Sequence, residues 1–447
     1  MSLFNELIEE GFLEPIDLYF ADLHAPDTQE KRAFLAAVMQ AARQGHLCLD
    51  LQILQGPSSW TAAVKSGITT SPYLVVHDDL VYLQKNYRYE TDVIEELKKL
   101  LGSSLLTKMK ANLTDDQQAA FDLVRSERLS IIEGGPGTGK TYLVTELVKS
   151  FGNEARIILT APTGKAAARL KEKNPKAHCG TLHSILGIKS DRNLEEHRSF
   201  IQADLIVVDE ASMIDVKIMR ALLKSMRSGQ RIVFLGDGNQ LPPVESGSLF
   251  NDLIDLVPTA HLNKSLRSDR KEVLDLASSI LNGTAPIPQG PLSIDLIKKY
   301  GSATILTPLR DGPWGVKSLN QLLQGSRKET PIIITRNDTE TGLSNGDTGI
   351  LISPTEAFID GKKFPLSALP PYELAYALSI HKSQGSEFDH VVVLVPPGTE
   401  VFGREVLYTA VTRAKESVIL LGETDVIAKT VKNSSCRRSG IKKRWAH

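Results

Sequence analysis

From residue 113 onward the chain alternates short, fully apolar runs with stretches of helical spacing. The first series predicts strands at 129–133, 156–161, 204–209 and 231–235, with helices opening at Lys140, Lys165 and Val216. Strands that are apolar on both faces and separated by amphipathic helices indicate a parallel sheet covered on each side. A second series begins near residue 300 and predicts strands Ala303–Thr307, Ile332–Thr335, His390–Val395 and Ser417–Leu421, with helices Gly315–Leu323 and Arg404–Lys415. Between Gly346 and Leu369, short β-type pieces broken by Gly, Pro and Asp predict a small all-β insertion, set at about 340–372.

Residues 1–105 read differently. Phe34, Leu35, Val38, Met39 and Ala42 recur at helical spacing within Gln29–Arg43. Tyr73–His77 and Leu80–Gln84 predict a hairpin around Asp78-Asp79, Asp92–Leu101 predicts a second helix, and Gly102-Ser-Ser a linker. Nothing in this α+β segment has the residue types of a catalytic site, and it is expected to be separable from the rest of the chain. The whole is expected to be α/β, with units 1–105, 113–268 and 269–447.

Charge changes the picture only when divided. The net charge of −1 hides a segment 1–105 with fifteen acidic and eight basic residues, net −7, so the remainder carries +6. An acidic first unit is a poor platform for a phosphate backbone, whereas the remainder could hold one in local grooves. Cys48, Cys179 and Cys436 lie far apart without metal-ligand spacing, which suits a reducing cytoplasm and gives no zinc site. No apolar run spans a bilayer and the N-terminus lacks a signal peptide, so no membrane association is expected.

The most specific chemistry lies in Gly134-Gly135-Pro136-Gly137-Thr138-Gly139-Lys140-Thr141, which comes after a predicted strand and opens a predicted helix. This is a phosphate-binding loop in its required context. Glycines let backbone N–H groups turn toward phosphates, Lys140 reaches the β- and γ-phosphates, and the Thr141 hydroxyl ligates Mg²⁺. Either ATP or GTP satisfies this much. Leu205–Val208 runs into Asp209 and Glu210, carboxylates placed to hold the metal and to polarise the attacking water. Gln240, in the turn after 231–235, is placed to sense a γ-phosphate. His381-Lys382-Ser383-Gln384 and the residues to Asp389 come after an apolar strand, Leu374–Ile380, and concentrate donors suited to a nucleic-acid backbone. Arg413, expected on the helix 404–415 of the loop-free half, and Arg267 are candidates to reach the γ-phosphate across a cleft.

Taken in order, Leu113-Thr-x-x-Gln117, Gly134–Thr141, Thr160-Ala-Pro-Thr-Gly-Lys165, Gly180-Thr-Leu-His183, Asp209-Glu-Ala-Ser212, Gly236–Gln240, Ser265-Leu-Arg267, His381–Asp389 and Tyr408–Arg413 resemble the motif set of superfamily 1 DNA helicases. Within them the chain is similar to the RecD-type subunits of RecBCD exodeoxyribonuclease V, through residues 1–105 as well. The resemblance implies two RecA-like P-loop NTPase lobes with a small SH3-like insertion, an N-terminal domain that docks on a RecC-like partner, and a RecB-like subunit in the same heterotrimer. It implies that Gln117 reads adenine, that ATP and Mg²⁺ are the cofactors, and that Lys140, Asp209, Glu210, Gln240, Arg267 and Arg413 carry hydrolysis. Pro162, Thr163, Lys165, Thr181, His183, His381, Lys382, Ser383 and Gln384 are then the expected contacts to single-stranded DNA. Translocation 5′→3′ is implied by the family alone. The 187–203 segment, where such helicases place a strand-separating pin, is short.

Three other readings stay open at this level. A stand-alone helicase without RecB- or RecC-like partners shares every motor motif. A P-loop kinase shares the loop but not the second lobe, and a silent scaffold would share the fold but need none of the catalytic side chains.

Overall fold

The structure is a computed structural model that describes residues 3–24, 26–102, 109, 111–152, 154–188, 200–243, 245–264, 271–326, 328–338, 340–435 and 437–446. Arg267, Cys436, the serines of the expected 102–104 linker and residues 189–199 of the short pin segment lie outside them.

The first lobe is built on a six-stranded, wholly parallel sheet. Its order is His178–Thr181, Ile157–Ala161, Leu205–Val208, Arg231–Gly236, Leu129–Gly134 and Thr259–Leu262. Leu205–Val208 shows why these runs carry no polar alternation. Ile206 and Val208 join the core on one face, Leu205 and Val207 the core on the other, and all four are fully buried. A strand covered twice has no solvent side on which to place a polar residue.

The second lobe repeats the plan with four parallel strands, in the order Ala377–Ser379, Thr304–Thr307, Phe388–Val395 and Ala414–Gly422. Here the expected boundaries shift. The predicted strand Ile332–Thr335 lies instead, as Thr330–Ile334, in a five-stranded antiparallel sheet with Lys362–Pro365, Glu356–Ile359, Thr348–Ser353 and Tyr372–Leu374. Ile332 and Ile334 enter that sheet's own small core, whereas Ile333 packs into the second lobe. A strand at the seam between two cores is buried on both faces, so it reads like a parallel-sheet strand. The insertion therefore spans 330–374, wider than expected. The predicted strand Leu374–Ile380 is likewise divided between the two sheets, at Tyr372–Leu374 and Ala377–Ser379.

The N-terminal unit has a three-stranded antiparallel sheet, Cys48–Asp50, Leu80–Leu83 and Leu74–His77, packed against Gln29–Arg43, which Thr28 caps by accepting Lys31 N–H at 3.2 Å. Its last helix is longer than expected, Gln84–Leu100 rather than 92–101, and it packs against the first lobe. Tyr89, Val93, Ile94, Leu97 and Leu100 are buried in the same core as Met219, Leu222 and Phe250 of the first lobe. Asp92 on that helix pairs with Arg220 and, at 2.7 Å, with Lys224 of the helix Val216–Lys224. The chain's end returns to the same place, with Ile441 and Trp445 of the short helix Ile441–Trp445 packed there too.

Among the described residues no helix is long and apolar enough to cross a membrane, no metal-binding cluster of His, Cys, Asp and Glu occurs, and Cys48 and Cys179 are free thiols.

Candidate nucleotide and DNA site

The phosphate loop joins the strand Leu129–Gly134 to the helix Lys140–Ser150. Gly137 and Gly139 sit at φ 79 and 84, left-handed conformations that favour glycine and turn the intervening N–H groups inward. Lys140 Nζ is folded onto the loop's own carbonyls, donating to Gly134 and, at 3.0 Å, to Gly135. Thr138 Oγ1 closes the loop on Gly135 O at 2.9 Å. Gln117, buried in the first turn of Asp115–Ser126, donates from Nε2 to Thr138 O at 3.0 Å and accepts Thr114 N–H at 3.2 Å. The residue expected at the adenine is thus tied directly to the phosphate loop.

Asp209 and Glu210 come after the strand Leu205–Val208, which is separated from the phosphate-loop strand by Arg231–Gly236 in the parallel sheet. Burial, and then the charge of Glu210, push the Asp209 carboxyl up to about 6, while Lys140 draws it back. Two half-buried carboxylates adjacent in sequence at the end of this strand fit a divalent cation, whose charge offsets both penalties. Glu210 itself is held at φ 53, a strained conformation for a residue with a side chain. Thr141 and Asp209 are the residues that would hold Mg²⁺, which would supply positive charge against the phosphates.

The second lobe faces this site. Arg413 lies just past the helix Gly403–Val411, in the turn before Ala414–Gly422, and not on the helix as expected. The helix ends early because the next strand begins at Ala414. The guanidinium is buried and donates to Thr409 O at 3.1 Å, Ser386 O at 3.2 Å and Thr412 Oγ1 at 3.4 Å. Carbonyls and a hydroxyl orient this cation, and no carboxylate pairs with it among the described residues. Gln240 is buried in the turn after Arg231–Gly236 and donates to Asp237 Oδ2 at 3.2 Å.

The expected DNA contacts divide. Pro162, Thr163 and Thr181 stand half-buried at the carboxyl ends of adjacent parallel strands, with His183 exposed. Thr163 and Thr181 each cap the next helix, accepting Ala166 N–H at 3.3 Å and Ser184 N–H at 3.2 Å. Lys165 lies toward the β insertion. Burial lowers its ammonium's pKa, opposed by Asp360 and Asp347 of the insertion. Gly164 is covered by Ser344, which a Cβ there would meet at 2.5 Å. Lys382 is exposed and pairs with Glu373 at 3.0 Å; His381 is half-buried, its pKa lowered by burial. Ser383 and Gln384 do not present side chains to a strand. Ser383 is fully buried and donates to Ile380 O at 2.7 Å, and Gln384 donates to Leu241 O at 3.2 Å in the contact between lobes. The polar run Lys382-Ser-Gln folds as a short 3₁₀ turn, so its successive side chains point to different environments.

Two residues to which the sequence assigns no role also join the lobes. Arg169 reaches from the first lobe to Gly385 O at 3.2 Å and Glu387 at 3.7 Å in the second. Tyr408 reaches in the opposite direction, to Asp237. An arginine alone after three alanines is the visible signal for the first; the second opens the motif run Tyr408–Arg413.

With this geometry in place, three family models match the chain: the RecBCD enzyme subunit RecD N-terminal domain over residues 9–87, an AAA domain over 112–303 and a UvrD-like helicase C-terminal domain over 374–421. A RecBCD enzyme subunit RecD of Mycobacterium tuberculosis is 30% identical over 98% of this chain and 95% of its own length. That alignment runs over 548 positions, more than the 447 residues here, so the relative carries insertions that this chain lacks. The ATP-dependent RecD2 DNA helicase of Deinococcus radiodurans is 31% identical over 70% of this chain and 50% of that protein. Among solved structures, the Pif1 helicase of Candida albicans superposes with a TM-score of 0.51 at 16% identity, covering 75% of this chain and 99% of its own, a likeness of fold.

Proposed function

This chain belongs to the RecBCD enzyme subunit RecD family, and we propose that it is the ATP-driven DNA helicase subunit of such an enzyme, moving 5′→3′ on a single strand. The observation that carries the motor reading is Tyr408, on the second-lobe helix just before Arg413, reaching Asp237 of the first lobe, with its hydroxyl 3.2 Å from where a Cβ on Gly135 of the phosphate loop would lie. Lys140 holds the phosphates, Thr141 and Asp209 would hold Mg²⁺, which would supply further positive charge there, Glu210 orients the water, and Arg413, with Arg267, draws charge from the γ-phosphate as it leaves. Gln117 reads adenine, which selects ATP over GTP. Pro162, Thr163, Thr181, His183 and Lys382 line the strand's path across the two lobes, with Lys165 reaching it from beneath the insertion. Gln384 serves the contact between lobes, while Ser383 holds its own turn.

The N-terminal unit docks on a RecC-like subunit, with a RecB-like subunit completing the assembly in the cytoplasm. Ile16, Tyr19 and Leu23 support this, since spacings of three and four residues put them on one face of the helix Pro15–Leu23 and all three are exposed. Any DNA cleavage by the assembly is assigned to a partner subunit.

The test is ATP turnover by the purified chain with and without single-stranded DNA. Strong stimulation by DNA, lost in Lys140→Ala with the fold retained, is the expected result; turnover in a folded Lys140→Ala protein sinks the reading. Co-purification with RecB- and RecC-like chains separates the subunit from a stand-alone helicase.

A further inference from the structure

Tyr408 stands on the second-lobe helix Gly403–Val411, is 4% exposed, and donates its hydroxyl to Asp237 Oδ2 of the first lobe at 2.8 Å. Asp237 is 1% exposed, and the same Oδ2 accepts Gln240 Nε2 at 3.2 Å. One carboxylate oxygen therefore takes a hydrogen bond from each lobe. Its other oxygen is engaged locally, accepting Asn239 N–H at 3.1 Å. Two further buried hydrogen bonds cross the interface at the same turn, Leu241 N–H to Thr409 Oγ1 at 2.8 Å and Gln384 Nε2 to Leu241 O at 3.2 Å. The Tyr408 hydroxyl also overhangs the phosphate loop: a Cβ on Gly135 would lie 3.2 Å from it. Gly135 O is one of the two carbonyls that accept from Lys140.

We propose that Asp237 and Tyr408 are positioning residues which hold Gln240 at the contact between the lobes and hand it to the γ-phosphate when the lobes close on ATP. The inference rests on the reading of Gln240 as the phosphate sensor. The chemistry is a choice between acceptors. With no phosphate present, the Gln240 amide donates to Asp237. When a γ-phosphate arrives, the amide turns to the more highly charged acceptor, and Asp237, which cannot be left bare in a buried place, keeps the hydroxyl of Tyr408. Loss of phosphate reverses the exchange. Tyr408 remains the donor throughout, because burial and the neighbouring carboxylate raise its pKa far above neutrality. Gln240 Oε1 is buried and receives no hydrogen bond among the described residues, so this side chain is only half-satisfied where it stands and a second orientation costs it little. Tyr408 also shares a short segment with Thr409, whose carbonyl orients Arg413, so the sensor and the arginine move with one helix end.

The test uses the full chain and Tyr408→Phe, which removes one oxygen and keeps the ring in place, with Asp237→Asn as the second variant and thermal unfolding as the check on folding. Loss of one charge-assisted hydrogen bond should lower DNA-stimulated kcat by about tenfold, with KM for ATP moved less than about twofold. Gln240→Ala should lower it as well, and the double variant Tyr408→Phe with Gln240→Ala should be no slower than Gln240→Ala alone. A dye pair with one member on each lobe should report a larger separation in nucleotide-free Tyr408→Phe than in the unmodified chain. Additive losses in the double variant overturn the proposal, as does a Tyr408→Phe chain with unchanged kcat and unchanged dye separation. If Gln240→Ala alone is inert, the sensor reading fails by itself, and the dye separation then decides whether the Tyr408–Asp237 contact still positions the lobes.

Discussion

Glu90 and Arg444 form a buried ion pair at 3.0 Å although 354 residues separate them. Glu90 is fully buried and Arg444 is 7% exposed. Tyr82 Oη at 2.9 Å and Gly440 N–H at 3.0 Å also donate to the carboxyl, and the guanidinium lies over the Tyr87 ring at 3.9 Å. The last residues of the chain, which leave the second lobe, are thereby fastened into the N-terminal unit and the first lobe together. Ser439 to Asp252 at 2.6 Å and Lys443 to Asp50 at 3.0 Å extend the seam on either side.

A buried pair that loses one member leaves an uncompensated charge. Arg444→Met should therefore destabilise the chain by about 3–5 kcal/mol. Glu90→Gln combined with Arg444→Met should recover much of that, because no bare carboxylate then remains. Chemical denaturation of the single and double variants checks this, and a double variant that is the less stable of the two contradicts it.

His46 makes the same seam sensitive to acid. Its Nδ1 accepts Arg438 N–H at 2.9 Å, which only the neutral ring can do at that atom. Burial, and then Arg438 and Arg437, lower its pKa from 6.5 to about 4. A group whose pKa is depressed by folding contributes stability above its unfolded value and loses it as pH falls toward the folded one. Stability should thus decline between about pH 6.5 and 4, by at most about 3 kcal/mol from this group. His46→Asn, which keeps an acceptor without a proton to gain, should flatten that part of a melting-temperature profile. An identical slope in the variant would assign the acid sensitivity elsewhere.

Arg413 should act on the transition state. Arg413→Lys retains the charge but loses the planar fork that three acceptors now orient. By analogy with other arginine fingers, kcat should fall by roughly 10³-fold, and affinity for a non-hydrolysable ATP analogue far less. Affinity lost with kcat preserved would make Arg413 a binding residue alone.

What the sequence makes legible depends on what each residue answers to. The parallel strands can be read because Leu205–Val208 and its neighbours are apolar on both faces, a local trace of a sheet covered twice. The phosphate loop can be read because its glycines at φ 79 and 84 answer to backbone geometry within a few residues. Thr330–Ile334 is expected in the wrong sheet because a seam strand and a central strand have the same pattern. Tyr408 and Asp237 are silent because they answer to each other across 171 residues, and neither carries a mark of its partner. Ser383 and Gln384 look like DNA donors because polar residues in sequence do not declare which of them will turn inward.

The N-terminal unit gives the last prediction, and the structure reverses the expectation drawn from charge and a glycine-serine linker. A cut after residue 105 removes Gln84–Leu100, whose Tyr89, Val93, Ile94, Leu97 and Leu100 are each at most 7% exposed within the first lobe's core. At roughly 1.5–3 kcal/mol for each large buried side chain, the loss approaches the whole stability of a typical domain, about 5–15 kcal/mol. It also strands Arg220, 6% exposed, without the carboxylate of Asp92. Residues 106–447 should therefore aggregate or unfold and show no DNA-stimulated ATPase, for structural reasons. A chain beginning at Gln84 keeps that helix and discards the sheet and helices that carry Ile16, Tyr19 and Leu23. It should retain DNA-stimulated turnover while failing to assemble with a RecC-like partner. Solubility, ATPase and co-purification of the two truncations separate the cases. A soluble, active 106–447 chain would show that the shared helix is dispensable, and a chain from Gln84 that still assembled would place the docking surface outside the N-terminal unit.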